Sequence, residues 1–145
     1  MLEVTDLHAG YGRIPILNGI SLSLKTGEVI GVLGHNGMGK TTLLRTLSGQ
    51  IRCNSGSIMF DGTEISRQSP YRRARSGLGY VPQGRDIFPQ LSVLENLKIA
   101  EYGRKGGSAI PDVLGYFPIL ENLLERPGQT LSGGEQQILA LARCL

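Results

Sequence analysis

From Ile20 to Lys25 the chain alternates: Ile20, Leu22 and Leu24 are apolar, while Ser21, Ser23 and Lys25 are polar. Period two marks a strand with one wet face, and the pattern predicts strands over Leu2–Leu7 and Ile14–Leu24. Thr26-Gly27-Glu28 reads as a turn. Val29-Ile30-Gly31-Val32-Leu33 then breaks the alternation. A strand apolar on both sides is covered on both faces, which predicts a parallel sheet between helices. The glycine-rich residues Gly34–Gly39 follow. Over Thr41–Ser48, Leu43, Leu44 and Leu47 share one helical face, and Gly49 stands where a helix ends. The local order is therefore strand, glycine loop, helix.

Further along, Gly56–Phe60 reads as a short strand ending in the Asp61-Gly62 turn. Gln68–Arg75 reads as a helix closed by Gly77, Leu78–Val81 as a strand, and Pro82–Pro89 as a loop. Ser92 is followed three residues later by Glu95, the pattern of a capping box, so a helix is expected from there to about Tyr102. Gly103–Ser108 reads as a flexible bridge, Pro118–Glu125 as helical, and Pro127–Thr130 as a loop. A last helix starts near Ser132. No internal repeat or low-complexity segment interrupts this order.

Composition narrows the class. The 145 residues are 40% apolar and 19% charged, which excludes wholesale disorder. Glycine is in surplus, with 21 residues and no Gly-X-Y period, so collagen is excluded and the glycines mark special backbone. The net charge of +3 is local: Arg67, Arg72, Arg73, Arg75 and Arg85 face only Asp86, while elsewhere ten basic residues meet eleven acidic ones. That argues against a protein built to coat nucleic acid and for a single patch, either a solvated helix face or a site for an acidic partner or headgroups. Cys53 and Cys144 form no metal-binding spacing and fit reduced cytosolic thiols. The opening MLEVTDL carries charges where a signal peptide is apolar, and no apolar run approaches the roughly 20 residues of a membrane span.

Two segments carry chemistry. Gly34-His35-Asn36-Gly37-Met38-Gly39-Lys40-Thr41 fits G-x-x-x-x-G-K-[ST], with an apolar segment before it and a helix after it. Glycines let successive N–H groups turn toward a phosphate chain, and the helix N-terminus presents its positive end to the same anion. Lys40 supplies a compact charge for the outer phosphates, and the Thr41 hydroxyl suits Mg²⁺, a hard cation. The alternative is a glycine-rich turn with an incidental lysine, and the flanking elements argue against it. The second segment is Leu131-Ser132-Gly133-Gly134-Glu135-Gln136-Gln137. Ser132 and Glu135 form a capping box on their own account. Gly133 and Gly134 cost helix stability, and a helix start stripped of side chains admits a guest such as phosphate to its N–H groups.

Both motifs in this order resemble the ATP-binding cassette family of transporter ATPases, over the whole chain. Gly34–Thr42 is similar to its Walker A motif. Leu131–Gln137 is similar to its LSGGQ signature, with Glu in the fifth place. Val81-Pro82-Gln83 stands where the family has its Q-loop, and Tyr11 where it has an aromatic residue stacked on adenine. Taken alone, Gln83 is an ordinary loop residue and Tyr11 an ordinary packing residue. The resemblance implies an α/β P-loop NTPase fold with an N-terminal antiparallel β subdomain, a parallel core sheet and a helical arm. Residues 1–145 would then be an ATP-binding domain, with the Q-loop and helical subdomain over about 84–130.

The resemblance also implies a mechanism. ATP and Mg²⁺ would be held by Tyr11, Gly34, His35, Asn36, Gly37, Met38, Gly39, Lys40, Thr41, Thr42 and Gln83, with Thr41 and Gln83 near the metal. Ser132, Gly133 and Gly134 would act in trans, on nucleotide bound to a second ATPase subunit. The subunit would lie in the cytoplasm on the inner face of the cell membrane, docked on integral permease subunits, with no nucleic acid partner. Gly34–Lys40 and Val81–Pro89 further resemble importer ATPases for branched-chain amino acids and for related amides and urea.

The family continues past its signature helix with an apolar strand ending in Asp, a catalytic Glu and a switch His. No such segment follows Ser132 here, and His8 and His35 lie in the N-terminal quarter. Phosphoryl transfer needs an acid on the metal and a base on the water. The chain is therefore expected to be the N-terminal portion of a longer protein, with no catalytic residue of its own, no ATP turnover and poor stability. Other P-loop enzymes, kinases or GTPases, do not carry LSGGE before a helix. Non-transport cassettes with coiled-coil insertions are disfavoured by the short, heptad-free gap between Gln83 and Ser132. A tandem cassette and a non-hydrolysing nucleotide-binding or dimerisation module stay open.

Overall fold

The computed structural model describes residues 1–84, 86–102 and 108–145. Residues 103–107 of the expected bridge Gly103–Ser108, and Arg85 of the arginine patch, lie outside them. The chain divides into two units, Met1–Tyr80 and Val81–Leu145.

The first unit is built on an antiparallel sheet. Strands β1 (Leu2–Tyr11) and β2 (Ile14–Leu24) form a hairpin in which Leu2 faces Leu24, Val4 faces Leu22 and Tyr11 faces Ile14. Strand β3 (Cys53–Phe60) joins the other edge of β1, with Val4 opposite Ile58. Asp61 and Gly62 both take positive φ, 45° and 76°, the requirement of a two-residue hairpin turn, and they lead into the short β4 (Thr63–Glu64). The sheet order is β2-β1-β3-β4. Its inward residues Val4, Leu7, Ala9, Leu17 and Ile58 close a core with Leu43, Ile51 and Ile65.

Helix α1 (Lys40–Leu47) lays Thr42, Leu43 and Thr46 into that core. The expected apolar face is rotated: Leu43 is buried and Leu47 half-buried, but Leu44 is exposed. The small Thr42 and Thr46 sit on the inward face because the Thr46 hydroxyl donates to the Thr42 carbonyl at 2.8 Å, which removes the cost of burying it. Helix α2 (Pro70–Arg75) starts two residues after the expected Gln68, with proline in its first turn.

Two expected strands are not formed. Val29–Leu33 has no regular structure, and Val29 and Leu33 are 96% and 94% exposed. Leu78–Val81 is likewise unpaired. All strand pairs among the described residues are antiparallel. An apolar run becomes a strand only when a neighbour pairs with at least one of its hydrogen-bonding edges, and neither run pairs with a described strand.

The second unit is helical. Helix α3 (Val93–Glu101) begins at the predicted Ser92 box: the Ser92 hydroxyl accepts from Glu95 N–H at 3.2 Å, and the Glu95 carboxylate accepts from Ser92 N–H at 2.8 Å. Helix α4 (Ile110–Tyr116) was not anticipated; Pro111 at its start and Gly115 within it masked the helical period. The expected helix over Pro118–Glu125 is a 3₁₀ helix ending at Leu123, and a second 3₁₀ turn, Gly128–Thr130, stands in the expected Pro127–Thr130 loop. Helix α5 (Gly133–Ala142) begins where predicted. Val93, Leu97, Val113, Leu120, Leu123, Leu131, Leu139 and Ala142 form the core. No described helix is long and apolar enough to cross a membrane.

Candidate nucleotide-binding site

The first unit holds the phosphate loop and Tyr11. Gly34, Gly37 and Gly39 take φ of 151°, 86° and 89°. L-residues avoid these angles, so the loop is shaped by glycine and not by its packing. At Gly34 and Gly37 a Cβ would meet little or nothing; at Gly39 it would stand 3.1 Å from Ile16 Cγ2 and Leu17 Cδ2. Gly39 therefore both caps α1 and lets the loop close onto β2. Its carbonyl accepts the first helical bond, from Leu43 N–H at 2.8 Å. His35, Asn36 and Met38 form the exposed crest, with the Met38 N–H donating to the His35 carbonyl at 3.3 Å.

Lys40 folds back over the loop. Its ammonium donates to the carbonyls of Gly34 at 2.6 Å and His35 at 2.8 Å. The charge is thus held at the mouth of the loop, against the positive end of α1. Thr41 is exposed at that helix start, whereas Thr42 is 6% exposed and belongs to the core.

Tyr11 ends β1 with its ring half exposed. Arg45, in the last turn of α1, hydrogen-bonds Tyr11 first and Tyr80 second, and both contacts raise its pKa. The helix that carries Lys40 thus also interacts with the side chain expected to receive the base. The sequence reading missed Arg45, because a residue one turn beyond a motif has no signature of its own.

Gln83 and the signature residues belong to the second unit. Gln83 is exposed in a turn with Gly84, whose φ is 113°. The loop beyond it is held by Asn96, which is fully buried: its Oδ1 accepts from Phe88 N–H at 2.8 Å, and its Nδ2 donates to the carbonyls of Phe88, Leu91 and Ser92 at 3.0–3.2 Å. An Asn on the buried face between Val93 and Leu97 was the available signal. From the far end of α5, Arg143 lies over the Phe88 ring at 4.7 Å and donates to the Asp86 carbonyl.

The signature opens α5. Leu131 is buried; Ser132, Gly133 and Gly134 are exposed. The Ser132 hydroxyl accepts from Glu135 N–H at 3.3 Å, and the Glu135 carboxylate accepts from Ser132 N–H at 2.6 Å. These bonds hold Glu135 below its ordinary carboxylate pKa. A Cβ on Gly134 would meet nothing within 4 Å. Neither packing nor the capping box explains that glycine.

The described residues contain no cluster of three or more His, Cys, Asp or Glu able to hold a metal. Of the residues expected near Mg²⁺, Thr41 in the first unit and Gln83 in the second are each exposed, and each carries a neutral oxygen of the kind a hard cation accepts. The arginine patch is smaller than expected: Arg67, Arg72 and Arg75 are exposed, but Arg73 is buried.

A glycine loop of this shape on a helix N-terminus, a lysine across it and an LSGGE cap define a P-loop cassette. The model of the ABC transporter family matches residues 17–145, and the chain belongs to that family. It is 38% identical to the probable branched-chain amino acid transport ATP-binding protein LivF of Archaeoglobus fulgidus, covering 100% of this chain and 63% of that protein. It is 36% identical to the lipopolysaccharide export system ATP-binding protein LptB of Escherichia coli, covering 99% of this chain and 62% of that one. Among solved structures, cbiO1 from Clostridium perfringens, part of the ABC transporter complex cbiONQ, superposes with a TM-score of 0.84 at 29% identity, covering 99% of this chain and 60% of that one. The chain thus spans somewhat under two thirds of the length of these relatives.

Proposed function

We propose that this chain is the nucleotide-binding part of a transport ATPase subunit. The observation that carries the reading is the loop Gly34–Gly39, whose left-handed glycines lead into the N-terminus of α1 with the Lys40 ammonium across its mouth. Lys40 moves from loop carbonyls to the outer phosphates. The exposed Thr41 hydroxyl would offer Mg²⁺ a protein oxygen, the exposed Gln83 amide would offer another, and Tyr11 would stack on the base. Bound Mg²⁺ supplies charge neutralisation for the phosphates. Ser132, Gly133 and Gly134 offer N–H groups and a hydroxyl to nucleotide held by a second subunit, so nucleotide favours the closed pair by differential affinity.

The same reading makes the chain peripheral to a membrane, docked on permease subunits. The proposed cargo is a branched-chain amino acid or a related amide or urea, supported by the Gly34–Lys40 and Val81–Pro89 stretches and by the name of LivF. LptB, named for lipopolysaccharide export, is nearly as similar, and the site residues named above handle nucleotide rather than cargo. We infer that these 145 residues bind nucleotide without turning it over, because no acid among the described residues belongs to a cluster of three or more His, Cys, Asp or Glu that could hold a metal. Calorimetric titration with MgATP tests the site. Binding is expected for the wild type and should weaken by about 10–100-fold in Lys40→Ala, the worth of one or two charge-assisted hydrogen bonds. Equal binding by both proteins refutes the site. ATP turnover abolished by Lys40→Ala refutes the claim of no hydrolysis.

A further inference from the structure

Arg73 is the largest fully buried side chain among the described residues, with 1% of its surface exposed. The ion pairs among those residues, Met1–Asp61 and His8–Asp6, do not involve it. A buried cation without a carboxylate is costly unless every donor is matched. Here the partners are all backbone carbonyls. Nε donates to Gln68 at 3.1 Å, Nη1 to Thr46 and Leu47 at 2.7 Å each, and Nη2 to Ser66 at 2.9 Å. Burial lowers its pKa, but a guanidinium stays protonated.

Two of those carbonyls end α1. The last four carbonyls of a helix lack partners within it. In α1 the Leu44 carbonyl takes Ser48 N–H, that of Arg45 takes Ile51 N–H, that of Thr46 takes Gly49 N–H and Arg73, and that of Leu47 takes Arg73. The cation also sits at the negative end of the helix. Gly49 makes room for it: φ is 84° there, and a Cβ would stand 3.0 Å from Arg73 Nε and 3.2 Å from Pro70 N. The other end of α1 begins with Lys40 and Thr41. A helix of eight residues is about 12 Å long, so a tilt of about 10° at the clamped end moves the phosphate end by about 2 Å.

We propose that Arg73 is a positioning residue for the phosphate loop: it clamps the C-terminal end of α1 to the Ser66–Gln68 turn, which fixes the orientation in which Lys40 and Thr41 meet nucleotide. The inference rests on the reading of Gly34–Thr42 as a nucleotide site. A planar fork whose three nitrogens bond two segments at once is something lysine cannot reproduce from one nitrogen.

Four proteins decide it: wild type, Lys40→Ala, Arg73→Lys and Ile58→Val, the last a destabilised core control in β3, outside both the loop and α1. Each is titrated with MgATP at a temperature where its thermal scan shows it folded, and the amide resonances of Gly37, Gly39 and Lys40 are recorded. Arg73→Lys is expected to bind about tenfold more weakly or worse, with those resonances shifted, while Ile58→Val keeps both at wild-type values. Wild-type affinity in Arg73→Lys, or an equal loss in Ile58→Val, overturns the inference and leaves the site reading intact. No wild-type binding, or equal binding by Lys40→Ala, overturns both. Should Arg73→Lys fail to fold, Gly49→Ala presses on the same guanidinium; weakened binding there supports the clamp and unchanged binding overturns it.

Discussion

Replacing Gly134 by alanine adds one methyl group in the first turn of α5, at a point where it meets no atom of the chain within 4 Å. The capping bonds between Ser132 and Glu135 are untouched, because they run through neighbouring residues. Alanine restricts the unfolded chain and suits a helix better than glycine, by about 0.5–1 kcal/mol. For a chain of this size that raises Tm by about 1–4 °C. On the proposed reading, the same methyl stands where a partner-bound phosphate approaches the helix N–H groups. Losing one such contact costs about 1.4 kcal/mol, a tenfold weaker nucleotide-dependent association. Thermal scans by circular dichroism give the first quantity, and sedimentation velocity with and without MgATP gives the second. The expected variant is more stable and associates less. A fall in Tm would mean that the glycine serves the fold. Unchanged association would mean that the helix start receives no phosphate, and the trans role of Ser132–Gly134 would fall with it.

Two further outcomes follow from the site's supports. Asn96→Ala leaves the Phe88 N–H without its partner and removes one of the two donors to the carbonyls of Phe88, Leu91 and Ser92, and is expected to destabilise by about 1–3 kcal/mol in chemical unfolding; a loss under about 0.5 kcal/mol contradicts the clamp. Glu135 has a depressed folded pKa, so its contribution is present above the unfolded carboxyl value and is lost as pH falls through the folded one. The Tm gap between wild type and Glu135→Gln should therefore be open at neutral pH and close in acid; a gap that widens in acid reverses the sign.

Local chemistry was legible from the chain. The hairpin strands, the Asp61-Gly62 turn, both capping boxes and the phosphate loop each depend on a few neighbouring residues whose conformational preferences are strong. The errors have a common form. Val29–Leu33 and Leu78–Val81 have the composition of strands, but a strand exists only with partners, and composition does not say where partners lie. Leu44 is apolar and expected on the buried face, yet Thr42 and Thr46 take that face, the Thr46 hydroxyl being satisfied by the Thr42 carbonyl within the helix. Arg73 was counted with a surface patch because arginines usually are on the surface.

Sequence by itself determined where the proposed nucleotide contacts lie. Glycines at 34, 37 and 39, Lys40 after them, and Ser132 with Glu135 act through backbone angle, charge and one-turn spacing, all fixed by covalent order. Tertiary structure decided what holds those motifs in place. The carbonyls that receive Arg73 come from residues 46, 47, 66 and 68, and Tyr11 meets Arg45 across 34 positions of chain. Such contacts depend on which segments the packed core brings side by side, and no local pattern in the chain encodes that meeting.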